Sequence, residues 1–131
     1  MADYVLDASA VLAYLQREPG AEVVAKILKP GACAISAVNF SEVAAKFAER
    51  GMPEVAIRDT LLSLILDVVP FDRGSALEAG ALRPATINLG LSLGDRACVA
   101  LGQRLQLPIM TTERSWSRLK LDVPVILARP G

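Results

Sequence analysis

The sequence predicts an α/β fold in which a mainly parallel five-stranded sheet is covered by helices on both faces. Five short apolar runs of strand type alternate with longer helical stretches along the chain. The 131 residues are enough for one domain with a single sizeable core, and no repeat or low-complexity segment interrupts them. We therefore expect residues 1–131 to form a single domain.

Breaker residues mark the ends of the elements in the first part of the chain. The pairs Pro19-Gly20 and Pro30-Gly31 end two helices, and Gly51 supplies the stop of a third. The predicted order is a strand over 3–7, helices over 8–16 and 21–28, a strand over 33–36 and a helix over 37–51.

The rest of the chain continues the alternation. Pro53 suits the first turn of the next helix, and Pro84 is expected to end another. The predicted order is a helix over 54–66, a strand over 67–71, a helix over 72–83, a loop over 84–94, a helix over 95–106, a strand over 108–112, a short helix around Trp116 and a strand over 123–128.

Hydropathy and cysteine spacing indicate the class of protein. The apolar fraction is 53% and the mean hydropathy is +0.40, but no apolar run approaches the roughly 20 residues of a membrane span. The opening "MADYVLD" carries acids where a signal peptide carries basic residues, so we expect a cytoplasmic protein without membrane contact. Cys33 and Cys98 have neither zinc nor CxxC spacing, which favours buried free thiols.

The sequence contains no histidine, and this absence restricts the chemistry. Nucleophile systems that depend on histidine, histidine acid–base catalysis and histidine-ligated zinc or iron sites are all excluded. Any reaction must use carboxylates, hydroxyls, Lys or Arg, together with a metal held by oxygen atoms.

Charge is balanced over the whole chain but not along it. Residues 1–94 hold 8 Lys and Arg against 11 Asp and Glu, whereas residues 95–131 hold 6 against 3. The last third is therefore basic, and two of its three acids, Asp95 and Glu113, are candidate site residues.

Four acids lie near comparable junctions of strands and helices. Asp7 ends the first strand, Glu42 lies in the first turns of the third helix, Asp95 begins the helix after the Gly-containing loop, and Glu113 follows the strand "PIMTT". Sites in open parallel sheets form outside the carboxyl ends of the strands. We expect these four carboxylates to converge at that edge.

Each acid also has a purely structural explanation. Asp7 and Asp95 could be helix N-caps, which contribute ~1 kcal/mol each. Glu42 could pair with Lys46 four residues on, a contact worth ~0.2–0.5 kcal/mol, and Glu113 could favour the start of the short helix after it. These alternatives explain each acid singly but not their joint placement.

Carboxylates at contact distance raise one another's pKa, so a cluster of four requires a cation. Mg²⁺, with Mn²⁺ as the alternative, is the natural counterion because both are bound by oxygen ligands. Such a metal lowers the pKa of a bound water and neutralises a substrate phosphate, so hydrolysis of a phosphodiester needs no histidine.

Three blocks of sequence, "YVLDASAVLAYL", "ISAVNFSEVAAKF" and "LSLGDRACVALGQRLQLPIMTTERSW", resemble the PIN-domain ribonucleases, specifically the VapC-type toxins of toxin–antitoxin pairs. The resemblance implies a PIN-like three-layer sandwich and a magnesium-dependent endoribonuclease. It assigns the catalytic and metal-binding roles to the four acids, with Ser9 and Thr111 as supporting hydroxyls. Arg96 and Arg114, beside two of the acids, are the expected RNA contacts. The family usually has Asp where this chain has Glu113, so that acid is expected to coordinate less directly.

The resemblance further implies a VapB-type antitoxin partner and a toxin homodimer. The predicted helix "EVAIRDTLLSLIL" has more apolar residues than one core-facing stripe needs. Two explanations remain open: the surplus forms an interface, or the helix is buried on two sides.

Two rival functions are compatible with parts of the sequence. A phosphoacceptor signalling domain also has an Asp at a strand end, but it needs a Lys near the last strand, where "VPVILARPG" offers only Arg129. A binding-only PIN domain with an inactive site is the second rival, and the presence of all four acids argues against it.

Overall fold

Five parallel strands form the centre of the protein, whose computed structural model describes residues 1–129. The sheet order is β3-β2-β1-β4-β5, and every neighbouring pair is parallel, which confirms the predicted fold class. The strands are β1 Tyr4–Leu6, β2 Cys33–Ser36, β3 Asp67–Val69, β4 Ile109–Thr111 and β5 Val125–Leu127.

The helices occupy both faces of this sheet. They are α1 Ala8–Leu15, α2 Ala21–Ile27, α3 Ala37–Glu49, α4 Glu54–Leu62, α5 Arg73–Ala81, α6 Arg83–Thr86 and α7 Leu93–Leu105, with 3-10 helices at Ile87–Leu89 and Arg114–Arg118. No helix within residues 1–129 is long and apolar enough to cross a bilayer.

Strand periodicity divides the core into two clusters. Successive side chains of a strand point to opposite faces, so Leu6 and Ile35 pack with α1 to α4 while Val5, Ala34 and Ile109 pack with α7. Both faces are therefore covered, as the three-layer prediction requires. Cys33 and Cys98 are buried free thiols, one in each cluster, which confirms the interpretation of the cysteines.

The predicted helix over 54–66 is too long. It ends at Leu62, and Ile65 adopts a left-handed backbone with φ of 49°, which no helix continues through. The prediction extends too far because the apolar residues after Leu62 continue the pattern of a helical face. Val55 and Leu62 are 70% and 63% exposed, so burial of this helix on two sides is wrong.

The predicted loop over 84–94 is also wrong. It contains most of α6 and the first 3-10 helix; α5 ends at Ala81, and Pro84 lies within the first turn of α6. Proline is tolerated there because the first backbone N–H groups of a helix have no partner within it. The next helix, α7, begins at Leu93 rather than at Asp95.

Two helices start directly at the carboxyl edge of the sheet, where a site is expected. Helix α1 begins two residues after β1, and α3 follows β2 without a gap. The start of α7 meets the first turn of α3, since the Asn39 amide donates to the Gly94 carbonyl over 2.9 Å. Helices from the two opposite faces of the sheet, α3 and α7, therefore meet at this edge.

Candidate active site

Asp7 is the centre of the site and is only 4% exposed. It is the N-cap of α1, as the structural explanation of this acid required, and its Oδ1 accepts the Ala10 N–H over 2.9 Å. Its backbone N–H donates to the Met110 carbonyl of β4. The carboxylate is therefore held where β1 and β4 end side by side.

Two hydroxyls fix the Asp7 carboxylate from β4 and α1. Thr111 Oγ1 donates to Oδ2 over 2.6 Å, and Ser9 Oγ lies 2.8 and 2.9 Å from the two carboxylate oxygens. The hydroxyls in turn accept backbone N–H groups, Ser9 from Thr112 and Thr111 from Glu113, each over 3.0 Å. Ser9 and Thr111 thus lie where the sequence predicted supporting groups.

Burial raises the pKa of the Asp7 carboxyl from its ordinary value of 3.8 to about 6. The hydrogen bonds from Thr111, Ala10 and Ser9 oppose this rise, and the nearby Asp95 carboxylate adds to it. Within residues 1–129, no Lys or Arg forms an ion pair with Asp7. The protein itself therefore does not neutralise this buried acid.

Glu42 extends from α3 toward the start of α7. Its Oε1 accepts the Asn39 amide over 2.9 Å. Lys46, the partner that the structural explanation proposed, instead lies 3.9 Å from Glu49, and no ion pair to Glu42 occurs in the described part of the chain. Glu42 is thus available at the site and is not a surface partner of Lys46.

Gly94 forms the surface on which the Glu42 carboxylate lies. A Cβ at position 94 would stand 2.5 Å from both carboxylate oxygens, closer than any real contact allows. Only glycine leaves this space, which brings the Glu42 carboxylate against the residue that precedes Asp95.

Asp95 lies at the third position of α7 and takes part in a capping box. Ser92, and not Asp95, is the N-cap: its hydroxyl accepts the Asp95 N–H over 3.2 Å, while Asp95 Oδ2 accepts the Ser92 N–H over 3.0 Å. The explanation of Asp95 as the N-cap is therefore wrong, because the N-cap lies one helical turn earlier, at Ser92. Its second carboxylate oxygen has no hydrogen bond within residues 1–129.

The buried thiol of Cys98 lies near three of the four candidate acids. Burial raises the pKa of its thiol well above the usual range, and the carboxylates of Asp7, Asp95 and Glu42 add to the rise. Cys98 lies one turn after Asp95 on the buried face of α7. These three carboxylates, contributed by the N-cap of α1, by α3 and by α7, therefore all lie near enough to Cys98 to affect its thiol.

Glu113 is the outlying member of the predicted set. Its backbone N–H donates to Thr111 Oγ1, which places its main chain beside the Asp7 partners. Its side chain is exposed and does not contribute to the pKa of Asp7 or Cys98. Glu113 is thus joined to the site through its main chain, and within residues 1–129 its side chain forms no hydrogen bond or ion pair.

The oxygen donors of the site suit a hard divalent cation, although they do not yet converge on one. Within residues 1–129, no group of three acids, Cys or His is close enough to hold an ion. Asp7, Glu42 and Asp95 would supply carboxylate oxygens, which are the ligands that such a cation prefers. The buried Asn39 Oδ1, which has no partner within residues 1–129, also fits an added positive charge.

The two predicted RNA contacts differ in position. Arg114 is exposed at the start of the second 3-10 helix, next to Glu113. Arg96 instead donates to the Ala79 carbonyl of α5 over 3.1 Å, and its Nε is buried without a partner within the described residues. Arg96 therefore has a structural role between α5 and α7, and its contact with RNA remains a prediction.

An open cleft of about 730 Å³ reaches the site along α1 and α3. Its lining includes Ala8, beside Asp7, and Glu42 itself. The remaining wall is formed by one apolar residue of α1 and by a mixed face of α3: Leu12, Ala45, Lys46, Ala48 and Glu49.

Sequence reasoning missed Asn39, Gly94 and Ser92. Asn39 and Glu42 are three residues apart in "NFSE", so they share one helix face, and this spacing could have indicated the contact. Nothing local connects either residue to Gly94, because the contact crosses between two helices on opposite faces of the sheet. A glycine in the first turn of a helix was the only signal there.

Comparison with known proteins gives one family match. The family model described as "PIN domain" matches residues 4–121. No curated protein matches the chain in sequence.

Several solved structures resemble this fold at low sequence identity. A chain of the DNA-bound VapBC from Salmonella typhimurium has a TM-score of 0.72 at 16% identity, covering 98% of this chain and 99% of that one. VapC20 of Mycobacterium tuberculosis, described as a sarcin–ricin loop cleaving toxin, has a TM-score of 0.72 at 14% identity, covering 90% and 95%. A toxin–antitoxin complex from Klebsiella pneumoniae has a TM-score of 0.71 at 18% identity, covering 88% and 92%.

Proposed function

The chain belongs to the PIN domain family, and from that premise we propose that it is a metal-dependent endoribonuclease, the VapC-type toxin of a toxin–antitoxin pair. One observation carries the proposal. Asp7, Glu42 and Asp95 lie at the carboxyl edge of the sheet, where α1, α3 and α7 begin, and within residues 1–129 none of them forms an ion pair with Lys or Arg. Such a cluster calls for an external cation.

The cation in this proposal is Mg²⁺, with Mn²⁺ as a substitute. Asp7, Glu42 and Asp95 would hold it, and Glu113 would assist from the edge. When bound, it supplies a water of lowered pKa and neutralises charge on the scissile phosphate. Oxygen ligands of this kind suit Mg²⁺, which is usually bound through one or two carboxylates together with waters.

The chain's own residues have defined tasks in this reaction. Ser9 and Thr111 orient Asp7 through their hydroxyls, so its carboxylate is held in one position. Asp7 must be ionised to bind a cation, and its raised pKa means that protonation competes with binding near pH 6. Arg114, exposed beside Glu113, is placed to attract the phosphates of a substrate strand.

RNA is proposed as the substrate because the similar fold of VapC20 belongs to a toxin described as cleaving the sarcin–ricin loop. A VapB-type antitoxin and a toxin homodimer are proposed as partners, supported by the toxin–antitoxin complexes among the similar structures. The protein would act in the cytoplasm. Co-expression with a candidate antitoxin encoded beside it, followed by co-purification and light scattering, tests both partners.

The decisive experiment in cells is to map RNA 5′ ends across total RNA after brief induction of the chain. We expect new ends at one or a few positions with the wild type and none with Asp95→Asn. New ends that persist in Asp95→Asn would contradict the proposed site. Absence of new ends with the wild type, together with retained RNA binding, would instead identify an inactive PIN domain.

A further inference from the structure

We propose that Asn39 and Gly94 are positioning residues that hold the Glu42 carboxylate against the start of α7, and that this restraint favours its use as a metal ligand. The inference rests on the proposed function, since it concerns the same site. It adds two residues that neither metal chemistry nor the acidic pattern of the sequence identifies.

Asn39 uses its amide nitrogen to join α3 to α7. Its Nδ2 donates to Glu42 Oε1 and to the Gly94 carbonyl, each over 2.9 Å. An amide nitrogen has two hydrogens, so both are used. Rotating the amide would turn its oxygen toward two acceptors, so only the observed orientation lets the amide nitrogen make both contacts.

The amide oxygen of Asn39 is buried without a partner among the described residues. The residue as a whole is 1% exposed. A buried, unpartnered polar atom costs stability that an apolar side chain of similar shape would avoid. The amide is thus explained by what its nitrogen does for Glu42, and not by packing.

Gly94 confines the same carboxylate from the other side. Both Glu42 carboxylate oxygens lie only 2.5 Å from the position that a Cβ of residue 94 would occupy. An added methyl group would displace the far end of a flexible side chain and not the backbone, so the helix can accommodate it. The displaced group would be the Glu42 carboxylate itself.

These two constraints act on a side chain that is otherwise free. Glu42 is an exposed residue on α3, and a long carboxylate side chain loses rotamer entropy when it is fixed. A ligand that is held in place before the cation arrives does not pay this cost on binding. Loss of either constraint should therefore weaken metal affinity more than folding.

The test is calorimetric binding of Mn²⁺ alone to the purified protein, with thermal unfolding measured in parallel. Asn39→Leu and Gly94→Ala should each weaken Mn²⁺ binding by about 10-fold, as is typical when a residue that orients a metal ligand is lost. Gly94→Ala should not lower the unfolding temperature, because alanine favours a helix over glycine.

Matched controls separate positioning from general damage. Gly80→Ala, in α5 with nothing within 4 Å of the added methyl group, should bind Mn²⁺ as the wild type does. Thr86→Val removes another buried polar group and its bond to the Leu82 carbonyl; it should lower the unfolding temperature without changing Mn²⁺ affinity.

The double variant Asn39→Leu/Glu42→Gln tests whether Asn39 acts through Glu42. It should bind Mn²⁺ no more weakly than Glu42→Gln alone. Wild-type affinity in both Asn39→Leu and Gly94→Ala would overturn the inference, and so would wild-type affinity in Glu42→Gln. If the Mn²⁺ results hold but the wild type cleaves no RNA, the proposed function fails and the positioning role stands.

Discussion

The position of each acidic residue at the site has its own structural cause. The sequence was sufficient to locate Asp7, Glu42 and Asp95 at one edge, because strand ends and helix starts are local features. It could not identify Asn39 as the partner of Glu42 and Gly94, since the Asn39–Gly94 contact spans 55 positions and depends on how α7 packs against α3. Tertiary packing, and not local propensity, determines that part of the site.

The buried carboxyl of Asp7 should make the stability of the metal-free protein depend on pH. Its pKa is raised from 3.8 to about 6, so the folded state keeps a proton that the unfolded state has lost between these values. The associated stability is present below pH 3.8 and is lost as pH rises through about 6. A rise of this size corresponds to at most about 3 kcal/mol.

Asp7→Asn removes this titration. Urea unfolding in EDTA should therefore find the variant more stable than the wild type at pH 7, with the difference shrinking toward pH 4. Equal pH dependence of the two proteins would show that Asp7 is not the buried acid described here.

Glu42 and Lys46 distinguish a metal-site acid from a surface ion pair. Glu42→Gln should lower the RNA cleavage rate by about 10-fold or more at limiting Mg²⁺, because a neutral amide is a poor ligand for a hard cation. Lys46→Ala, on the same helix, should leave the rate near that of the wild type, since Lys46 lies near Glu49 and not Glu42. Equal losses in the two variants would favour an ion-pair role.

Glu113 should contribute less than Asp7. Its side chain is exposed, and Mg²⁺ demands ligands at ~2.0–2.1 Å in a nearly ideal octahedron. Glu113→Gln is expected to weaken cleavage less than Asp7→Asn does, and Glu113→Asp should be tolerated. Initial rates over a magnesium titration provide the measurement; a Glu113→Gln variant as inactive as Asp7→Asn at every concentration would remove the ranking.

At the scale of elements, the five strands and most helices follow from hydrophobic periodicity and breaker residues. Two errors have physical causes. The apolar run after Leu62 continues a helical pattern, but Ile65 turns into the left-handed region and ends it. Pro84 signals a break, yet it also fits the first turn of a helix, and α6 uses it in that way. Both errors concern where a helix begins or ends. Packing against neighbouring elements determines these boundaries.

The capping box of α7 allows the two roles of this helix to be separated. Ser92→Ala removes the acceptor of the Asp95 N–H and should cost about 1 kcal/mol of unfolding free energy, while cleavage is retained. Asp95→Asn keeps an oxygen that can accept the Ser92 N–H, so it should fold with nearly unchanged stability and lose cleavage. Denaturant unfolding and cleavage rates on both variants would expose any reversal of this pattern.

At the scale of the whole molecule, the sheet order brings distant parts of the chain to one edge. Strands β1 and β4 are neighbours, so Asp7 meets Thr111 across 104 positions. Helices α3 and α7 cover opposite faces but begin near the same edge, and they add Glu42 and Asp95. Helix N-termini carry partial positive charge, which offsets only part of the repulsion among three carboxylates. In the proposed function, a divalent cation would complete the neutralisation.

The most direct test of this account is the rate of RNA cleavage by the purified protein as a function of Mg²⁺ concentration. We expect no cleavage in EDTA, a rate that rises and saturates with Mg²⁺, recovery by Mn²⁺, and no cleavage by Asp7→Asn at any metal concentration. Cleavage that persists in EDTA, or an Asp7→Asn variant that cuts RNA at the wild-type rate in Mg²⁺, would contradict it.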